Sequence, residues 1–577
     1  MVNENFQRTG KSMRNYLKIL VPLFLLVSIG TLVSQHSNNR SEGTRNILLF
    51  NDVLKIVSDY YVDPIPPEDL VMGAVEGLVE SLDIHSQLLD QRHHRRLMEQ
   101  TRGRFGGIGI EISIRDDSLT VLAPIPGTPA HRAGLQSGDR IVRIEEEPTK
   151  GMSLEEAVSK LKGEPGTLVN IWIHRLGVDE DIHFPIVRAI IKIESVQGKF
   201  MLTPDIGYVR LGVFSDKSGQ ELLEAINELK AHGMKRLIFD LRDNPGGLLS
   251  RAVDVADIFL DPGQIIVSTR GRIRNSNQVF KAKRPPAWGD GPVICLISRG
   301  SASASEIVSG VIQDLDRGVV IGAPSFGKGL VQTVFRIDRE HSLKITTAKY
   351  YIPSGRLIQK PGYVKNPDVV DENNPKDTLF YSKNGRPLKG GGGIVPDYKI
   401  GTDPLSDYIR ELWRQNMFYT YAVHYKSVYG EIKTPVVVDD AMIADFREFL
   451  TQDGFIYRQK NEKNLRNLEK EILKEDAFRD IVNPFASIYA VYDSLNSVKF
   501  GENIDQIKRG LISELSTLAG GLSERIKNDI MNDPAIDKAI EVLSDKMEYN
   551  TTLGLSLIHI SEPTRPLYIS YAVFCLK

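Results

Sequence analysis

The chain has 577 residues, of which 41% are hydrophobic and 25% charged, and a formal net charge of −2. This composition is ordinary for globular protein, and the length gives room for several domains. The near-zero charge gives no reason to expect nucleic acid or an anionic membrane surface as a general partner. The two cysteines, Cys295 and Cys575, imply neither a disulfide framework nor a cysteine-based metal site.

At the N-terminus, basic residues precede an apolar run, the order typical of an export signal. The basic residues are Arg8, Lys11, Arg14 and Lys18, and the apolar run ILVPLFLLVSIGTLV covers Ile19–Val33. No small-x-small cleavage site follows. We therefore favour an uncleaved signal anchor within residues 1–43 over a cleaved signal peptide, with the bulk of the chain outside the membrane.

The rest of the chain divides by periodicity. Residues 44–104 carry apolar residues at helical spacing on both sides of the break IPPED, which predicts a helical N-terminal cap. Residues 105–193 combine short strands with the amphipathic helix SLEEAVSKLKG and predict a small β domain. Residues 194–400 repeat strand and helix, which predicts an α/β core with a largely parallel inner sheet.

The last two segments show no catalytic constellation. Residues 401–554 are mainly helical and highly charged, and we interpret them as a packing or oligomerisation region. Residues 555–577 contain LSLIHISEPTR, which looks like a translated sequencing-library adapter. We leave this segment out of the fold reasoning, as for any fusion scar.

The stretch SRGSASASEIVSG places three serines, Ser301, Ser303 and Ser305, where the strand PVICLIS gives way to an amphipathic helix. Functional groups collect at such junctions in α/β sheets. A hydroxyl in the first turn faces unpaired backbone N–H groups and the positive end of the helix dipole, which stabilise negative charge on oxygen. Ser303 and Glu306 also have the spacing of a capping box, so a purely structural cap stays open at this point.

The segment GAPSFGKGLVQ resembles a phosphate-binding loop, but Gly329 stands where Ser or Thr would hold Mg²⁺. The residues that follow also predict a strand, whereas that loop opens a helix. A lysine between two glycines can be placed in a desolvated site, where its pKa falls from about 10.4 and the neutral amine can accept a serine proton. Lys328 is therefore a candidate base, with a solvated loop lysine as the alternative.

A third motif, DLRDNPGG, follows the strand RLIFD. Its glycines, Gly246 and Gly247, expose backbone N–H groups at a strand end. These groups could complete an oxyanion hole together with the amide that follows the nucleophile. A plain tight turn explains the glycines equally well.

Eight motifs stand together in the order found in the carboxy-terminal processing peptidases, the serine–lysine family S41 with an embedded PDZ domain. They are LDIHSQLL, GRFGGIGIEI, AGLQSGDRIVRI, DLRDNPGG, GSASASEI, GAPSFGKGLVQ, TTAKYYIPSGRLIQ and GGGIVPD. The chain resembles this family over residues 44–400. The resemblance implies a multidomain α/β protein: a ClpP/crotonase-like protease core with an inserted PDZ β domain and helical N- and C-terminal regions.

The resemblance also assigns the site. It makes Ser303 the nucleophile, Lys328 the base and Gln332 the residue that orients the base. The oxyanion-hole positions that match are Gly246 or Gly247, and Ala304. The implied activity is that of a serine endopeptidase that works through an acyl-enzyme and needs no metal ion or organic cofactor.

The small β domain resembles a PDZ module, in which backbone N–H groups hold a chain-terminal carboxylate and the peptide adds as a strand to an open sheet edge. The peptide-binding residues expected from the resemblance are Gly106, Gly107, Ile108, Gly109, Ile110 and Lys162. Ile108 and Ile110 would shape a pocket for an apolar terminal side chain, or serve as ordinary strand core.

We therefore expect protein or peptide substrates with free C-terminal ends and no nucleic acid partner. The location expected is the periplasmic side of the bacterial inner membrane, with the anchor holding the protein to that membrane. A homodimer formed through the helical ends stays open.

The sequence departs from the family pattern at two motifs. Ile84 stands where proline is usual. Lys162 stands where arginine is frequent, and lysine keeps the charge but not the fork geometry that would couple the PDZ domain to the active site. Two other functions compete with the Ser–Lys protease: a catalytically silent PDZ scaffold, and a PDZ protease with a Ser–His–Asp triad that uses His232 or His341.

Overall fold

The computed structural model describes residues 44–115, 117–289, 291–363, 378–401, 404–474 and 483–555. The expected signal anchor and, apart from Leu555, the expected adapter segment lie outside these residues. Among the helices described, none has the length and apolar character needed to cross a membrane. The described residues divide into two compact units, residues 44–88 and the residues that follow.

The first unit contains the N-terminal helices that the apolar spacing predicts, residues 44–60 (α1) and Pro67–Glu80 (α2). Helix α2 has proline in its first turn, followed by Glu68 and Asp69. Proline fits there because its missing N–H has no intrahelical acceptor to lose, and acidic side chains there interact favourably with the helix dipole.

A short strand, Gln87–Leu89 (β1), and the helix Gln91–Arg102 (α3) lead into the second unit. The Asp90 side chain accepts a hydrogen bond from the backbone N–H of His93 and caps the start of α3. Gly103 ends this helix in the left-handed conformation.

The next domain is a small antiparallel β domain with two short helices. Its elements are Arg104–Gly107 (β2), Ile110–Arg115 (β3), Ser118–Pro124 (β4), Pro129–Ala133 (α4), Arg140–Ile144 (β5), Glu147–Pro148 (β6), Leu154–Leu161 (α5), Leu168–His174 (β7), Ile182–Val187 (β8) and Ala189–Lys192 (β9). The main sheet has the order β3-β4-β5-β7-β8, and β2 pairs separately with β9. Val169, Ile171 and Ile173 are buried, which places one face of β7 on the core.

The segment GGIGIEISI is divided between β2 and β3. Gly109 lies at the break with φ 80°. Its carbonyl oxygen accepts a hydrogen bond from the Thr128 hydroxyl at 2.9 Å, and a Cβ at this position would lie 2.4 Å from that side chain. Only glycine lets the chain turn this close to Thr128.

The α/β core follows. Its elements are Val196–Met201 (β10), Ile206–Leu211 (β11), Ser218–Ala231 (α6), Arg236–Asp240 (β12), Leu249–Ala256 (α7), Ile265–Arg270 (β13), Gln278–Lys281 (β14), Val293–Ile297 (β15), Ala304–Asp314 (α8), Val319–Gly322 (β16), Leu330–Arg336 (β17), Ser342–Tyr351 (β18), Leu379–Tyr381 (β19), Pro387–Lys389 (β20) and Tyr398–Lys399 (β21). The main sheet, β10-β11-β12-β15-β16-β21, is parallel except for β10, which confirms the predicted α/β class. Strands β13, β14, β17 and β18 belong to a second, antiparallel sheet.

Alternate residues of the main sheet face two different hydrophobic clusters. Val209 and Phe239 pack with helices α6, α7 and α8, whereas Tyr208 and Ile238 point into the opposite cluster. Burial on both faces is the usual state of a parallel sheet.

The C-terminal segment is helical, as expected. Its helices are Asp407–Arg414 (α9), Met417–Tyr429 (α10), Asp440–Gln452 (α11), Lys460–Ile472 (α12), Asn483–Ser497 (α13), Lys499–Glu502 (α14), Ile504–Asp529 (α15), Pro534–Ser544 (α16) and Lys546–Thr552 (α17). Ile526 at the end of α15, with Ile536 and Val542 of α16, packs on the second face of the main sheet. The last part of this segment is therefore a structural layer of the core, whereas the helices before it have a hydrophobic cluster of their own.

The same segment also contacts the small β domain. The Tyr419 hydroxyl donates to the carbonyl oxygen of Val121 at 3.2 Å, and the Arg115 guanidinium lies 5.1 Å from the centre of the Tyr419 ring. The C-terminal helices thus pack on both the β domain and the main sheet.

Candidate active site

Ser303 lies in the turn that joins β15 to α8, directly before the first residue of the helix. Its backbone has φ 55° and ψ −110°, a conformation with positive φ that residues other than glycine seldom adopt. Such a residue persists only where its surroundings hold it, and strained residues of this kind cluster at functional sites. A sharp strand-to-helix turn also presents a side chain at the edge of the sheet.

The three serines of the run have different environments. Ser301 is buried and its hydroxyl donates to the carbonyl oxygen of Leu241 at 2.8 Å. Ser305 is also buried, and its hydroxyl donates to the carbonyl oxygen of Asn244 at 2.9 Å. Ser303 is half-buried. The outer serines therefore tie α8 to the neighbouring loop, which favours the middle serine as the reactive one.

The buried carboxylate of Glu306 joins the serine turn to the lysine loop. Its Oε2 accepts the backbone N–H of Ser303 at 2.8 Å and that of Lys328 at 2.9 Å. Its Oε1 accepts the Ser325 hydroxyl at 2.5 Å and the backbone N–H of Gly327 at 2.7 Å. Burial raises the pKa of the Glu306 carboxyl, and these hydrogen bonds oppose that rise.

The loop around Lys328 is held on its other side as well. The backbone N–H of Gly329 donates to Oε1 of the buried Gln359 at 2.8 Å, and the N–H of Lys360 donates to the Gly327 carbonyl at 3.0 Å. Lys328 itself is half-buried. Its backbone position is therefore fixed by neighbours on both sides.

Gln332 lies on β17 next to an irregularity in its pairing with β18. Its side-chain amide donates to the Thr346 hydroxyl across the hairpin at 3.3 Å. The predicted contact of Gln332 with the base stays a prediction.

The glycine loop after β12 passes directly beside Ser303. A Cβ on Gly246 would lie 2.9 Å from Ser303 Cβ and 3.0 Å from the amide nitrogen of Ala304, and Gly246 has φ 97°. The N–H of Gly246 donates to Oδ1 of Asn244 at 2.9 Å. Gly247 follows with φ 152°, and a Cβ there would lie 2.1 Å from the carbonyl oxygen of Phe214. Gly246 therefore lies at the serine turn beside Ala304, and the oxyanion role of these positions stays a prediction.

An ion pair anchors the start of this loop. Asp240 is fully buried at the end of β12, where Arg242 Nη2 donates to its Oδ2 at 2.7 Å and the Tyr208 hydroxyl donates to the same oxygen at 2.7 Å. Burial acts to raise the pKa of Asp240, but Arg242 and Arg210 hold it below its usual value. Arg242 also pairs with Asp533 of the C-terminal segment.

The predicted glycines of the β domain are close to the end of its second helix. The carbonyl oxygen of Gly106 accepts the N–H of Gly163 at 3.1 Å, and a Cβ on Gly106 would lie 2.1 Å from the Gly163 oxygen. Gly107 is buried and pairs with Ala189 of β9. Ile108 lies in the hydrophobic core at the break between β2 and β3, and its part in a peptide pocket stays a prediction.

Ile110 and Lys162 lie nearer the surface of this domain. Ile110 is half-buried and packs against the core from the start of β3. The ammonium of Lys162 donates to Glu99 of α3 at 2.6 Å and lies 4.4 Å from the centre of the Phe105 ring. Lys162 thus connects the β domain to the helix that precedes it.

The two histidines considered as alternative bases are engaged within their own turns. His232 Nδ1 lies 2.8 Å from the carbonyl oxygen of Glu228 at the end of α6. His341 pairs with Asp338 at 3.0 Å in the turn between β17 and β18, and this hydrogen bond raises the pKa of its imidazole. Over the described ranges, no cluster of three or more His, Cys, Asp or Glu side chains could hold a metal ion.

Sequence reasoning missed the roles of Glu306 and Asn244. The capping-box spacing pointed to Glu306, but only as a partner of Ser303; its hydrogen bonds to the lysine loop depend on the fold. Asn244 is buried, and its side chain joins the Gly246 N–H to the Leu211 carbonyl. An asparagine in DNPGG gave no signal beyond that of an ordinary turn.

Comparison with known proteins identifies the parts of the chain. Residues 205–370 match the model of peptidase family S41, residues 120–175 match a PDZ domain, and residues 408–543 match the "probable PDZ-protease, C-terminal helical domain". A carboxy-terminal-processing protease of Bartonella bacilliformis is 39% identical over 364 residues, which cover 62% of this chain and 83% of that protein. A probable CtpA-like serine protease of Staphylococcus aureus is 32% identical over 421 residues, covering 69% of this chain and 82% of that protein.

Among solved structures, the photosystem II D1 C-terminal processing protease is 26% identical, with a TM-score of 0.34 and coverage of 62% of this chain and 94% of that one. The family assignment rests on the sequence relatives and the matched models. The chain belongs to the carboxy-terminal processing proteases of peptidase family S41.

Proposed function

We propose that this protein is a serine endopeptidase in which Ser303 is the nucleophile and Lys328 the general base. The observation that carries the proposal is the shared Glu306 oxygen, which accepts the backbone N–H groups of both residues. The serine and the lysine are distant in the sequence, yet the backbone nitrogen atoms of both lie one hydrogen bond from the same carboxylate oxygen. Between a strained serine turn and a tightly held lysine loop, a dyad can form without a histidine.

The reaction follows the usual course of nucleophilic catalysis. Ser303 Oγ attacks the scissile carbonyl carbon while its proton passes to Lys328 Nζ. Lys328 then gives this proton to the leaving amine as the C–N bond breaks, which leaves an acyl-enzyme. A water molecule attacks the ester and loses a proton to Lys328, and the proton returns to Ser303 Oγ as the new carboxyl terminus leaves.

The oxyanion is bound by backbone amides. We assign Gly247 and Ala304 as donors rather than Gly246, because the N–H of Gly246 already donates to Asn244. Ala304 is the first residue of α8, where amides have no intrahelical acceptor and the helix dipole is positive. We assign Gln332 to orient Lys328 when substrate is bound.

The PDZ domain captures the substrate's C-terminal end. Strand β3 stands at the end of its sheet, and helix α5 packs beside it, which is the arrangement that β-strand addition needs. Fluorescence polarisation with one labelled peptide in free-acid and amidated forms tests this assignment. We expect the amide to bind about tenfold or more weakly, because it lacks the terminal carboxylate. Equal binding of both forms would remove it.

A cleavage assay separates the protease from the silent PDZ scaffold. The assay uses an unfolded casein with the wild type, Ser303→Ala, and the control Ser427→Ala, whose serine is exposed on α10. We expect cleavage by the wild type and the control only. Equal cleavage by Ser303→Ala would exclude the dyad, and peptide binding without cleavage by any form would favour the scaffold.

We also propose a membrane-anchored location and a homodimer. The basic and apolar order at the N-terminus supports an anchored protein on the periplasmic side of the inner membrane. Helix α1 exposes apolar side chains, which supports packing against a second copy. These side chains include Ile47, Leu49, Phe50 and Ile56. A protease-protection assay on intact spheroplasts and sedimentation of the full chain in detergent test these points; a protected enzyme or a monomer mass would contradict them.

A further inference from the structure

Tyr350 is a buried tyrosine of β18 whose hydroxyl reaches both members of the proposed dyad. Its ring packs in the hydrophobic cluster beneath α8, and the residue is 1% exposed. The hydroxyl oxygen lies 3.1 Å from the carbonyl oxygen of Ser303 and also within hydrogen-bond distance of the carbonyl oxygen of Lys328. A phenol carries one proton, so it donates to one of these carbonyl groups at a time while lying next to both.

This contact complements the one made by Glu306. One carboxylate oxygen accepts the N–H groups of Ser303 and Lys328, and one hydroxyl serves the carbonyl groups of the same two residues. The peptide groups on both sides of each residue are therefore tied to a common partner. Buried polar groups need such partners, and hydrogen bonds that join two loops favour one geometry over others.

Backbone contacts on both sides hold Tyr350 in β18. Its backbone N–H donates to the Gly329 carbonyl at 2.9 Å, and the residue pairs with Thr269 of β13. Burial, followed by the charge of Glu306, raises the pKa of the Tyr350 phenol well above its usual value. The phenol therefore stays protonated near neutral pH and can act there as a hydrogen-bond donor.

The tie to Ser303 bears on the strained turn. The direction of a carbonyl group follows from the ψ angle of its own residue, and Ser303 has ψ −110° with a positive φ. This carbonyl accepts the N–H groups of Glu306 and Ile307 in the first turn of α8. The Tyr350 hydroxyl adds a restraint from β18 that opposes relaxation to an ordinary backbone conformation. The same hydroxyl limits how far the lysine loop can move from the serine turn.

We propose that Tyr350 is a positioning residue for peptide cleavage, whose hydroxyl holds the backbone of the nucleophile Ser303 next to that of the base Lys328. The inference rests on the proposed Ser–Lys protease. Tyr350 is buried beneath the site and does not contact substrate. Its loss therefore lowers kcat and leaves KM nearly unchanged, because substrate binding is not what it supports.

The test compares two adjacent tyrosines in the full chain. Tyr350→Phe removes only the hydroxyl, and Tyr351→Phe is the matched control, since its ring contact with Arg270 survives in phenylalanine. The kcat and KM values are measured for both variants on one fluorogenic peptide, with wild type and Ser303→Ala in the same series. We expect Tyr350→Phe to lose about 30-fold in kcat with KM within about twofold, as for a hydrogen bond lost from a buried network.

A third variant restores a donor. Replacing Tyr350 with p-aminophenylalanine puts an N–H donor where the hydroxyl was, and we expect it to recover about tenfold of the lost kcat. If Tyr350→Phe does not fold, the inference requires that the p-aminophenylalanine variant folds and cleaves the peptide. Failure of the amino variant to recover activity, or a kcat for Tyr350→Phe within about threefold of Tyr351→Phe, overturns the inference.

The comparison of wild type with Ser303→Ala in the same series tests the proposed function separately. Cleavage by wild type and none by Ser303→Ala supports Ser303 as the nucleophile. The role of Tyr350 is then judged from Tyr350→Phe against Tyr351→Phe. Equal cleavage by wild type and Ser303→Ala removes the dyad, and the positioning role falls with it.

Discussion

Glu306→Gln changes one atom of a buried carboxylate whose two oxygens accept four hydrogen bonds. Glutamine keeps the shape but offers only one oxygen, and its amide group is itself a donor. Two of the four donors therefore lose their acceptor, either Ser303 and Lys328 or Ser325 and Gly327. A buried donor without a partner costs about 1–3 kcal/mol, so the pair costs roughly 2–6 kcal/mol.

The loops relieve this cost by moving apart, and the lysine loop moves away from Ser303. If about 3 kcal/mol appears in the barrier to acylation, kcat/KM falls by at least about 100-fold. Steady-state cleavage of a fluorogenic peptide measures the loss, and a urea titration measures the change in the free energy of unfolding. Glu228→Gln, which removes an exposed carboxylate on α6, is the matched control. A kcat/KM for Glu306→Gln within about threefold of that control would mean that Glu306 does not hold the lysine loop beside Ser303.

Two further substitutions and one pH titration provide separate tests. Gly246→Ala places a Cβ 2.9 Å from Ser303 Cβ, so we expect loss of casein cleavage, whereas Gly263→Ala, which has a similar φ of 90° but open space, keeps it; equal activity of the two would contradict the close approach. Ile536→Ala empties a buried site on the second face of the sheet and lowers the free energy of unfolding by about 2–5 kcal/mol in urea, against little change for the exposed Met531→Ala; equal effects would mean that α16 does not belong to the core. Burial raises the folded-state pKa of Glu306 above 4.5, so its contribution to stability is complete below pH 4.5 and is lost as the pH rises through the folded value. Wild type should therefore lose unfolding free energy relative to Glu306→Gln over that interval, and parallel pH profiles would contradict the shift.

The local pattern of the sequence predicts the fold well. Strand and helix alternation over residues 194–400 predicts the parallel sheet, because hydrophobic periodicity is set by which faces are buried. The position of the C-terminal segment is not predictable in this way. The apolar stripe of α16 predicts that Ile536 and Val542 are buried, but not that they pack against the main sheet, since any apolar surface would satisfy a stripe.

The site shows the same division between local and long-range information. The sequence predicts the start of a helix at Ser303 and a glycine-flanked loop at Lys328, because the capping spacing and glycines are local signals. The choice of Ser303 over its neighbours came from family resemblance, and the structure adds a reason: Ser301 and Ser305 are occupied by carbonyl groups of another loop. Those contacts, like those of Glu306 and Tyr350, join segments distant in the sequence.

Mass spectrometry of a fluorophosphonate adduct tests whether Ser303 is the nucleophile and whether Lys328 activates it. The probe phosphonylates an activated serine by displacing fluoride, and peptide mapping identifies the modified residue in wild type, Ser303→Ala and Lys328→Met. We expect an adduct on Ser303 alone, none in Ser303→Ala, and a greatly slowed reaction in Lys328→Met. An adduct on Ser301 or Ser305, or labelling of Lys328→Met at the wild-type rate, would contradict it.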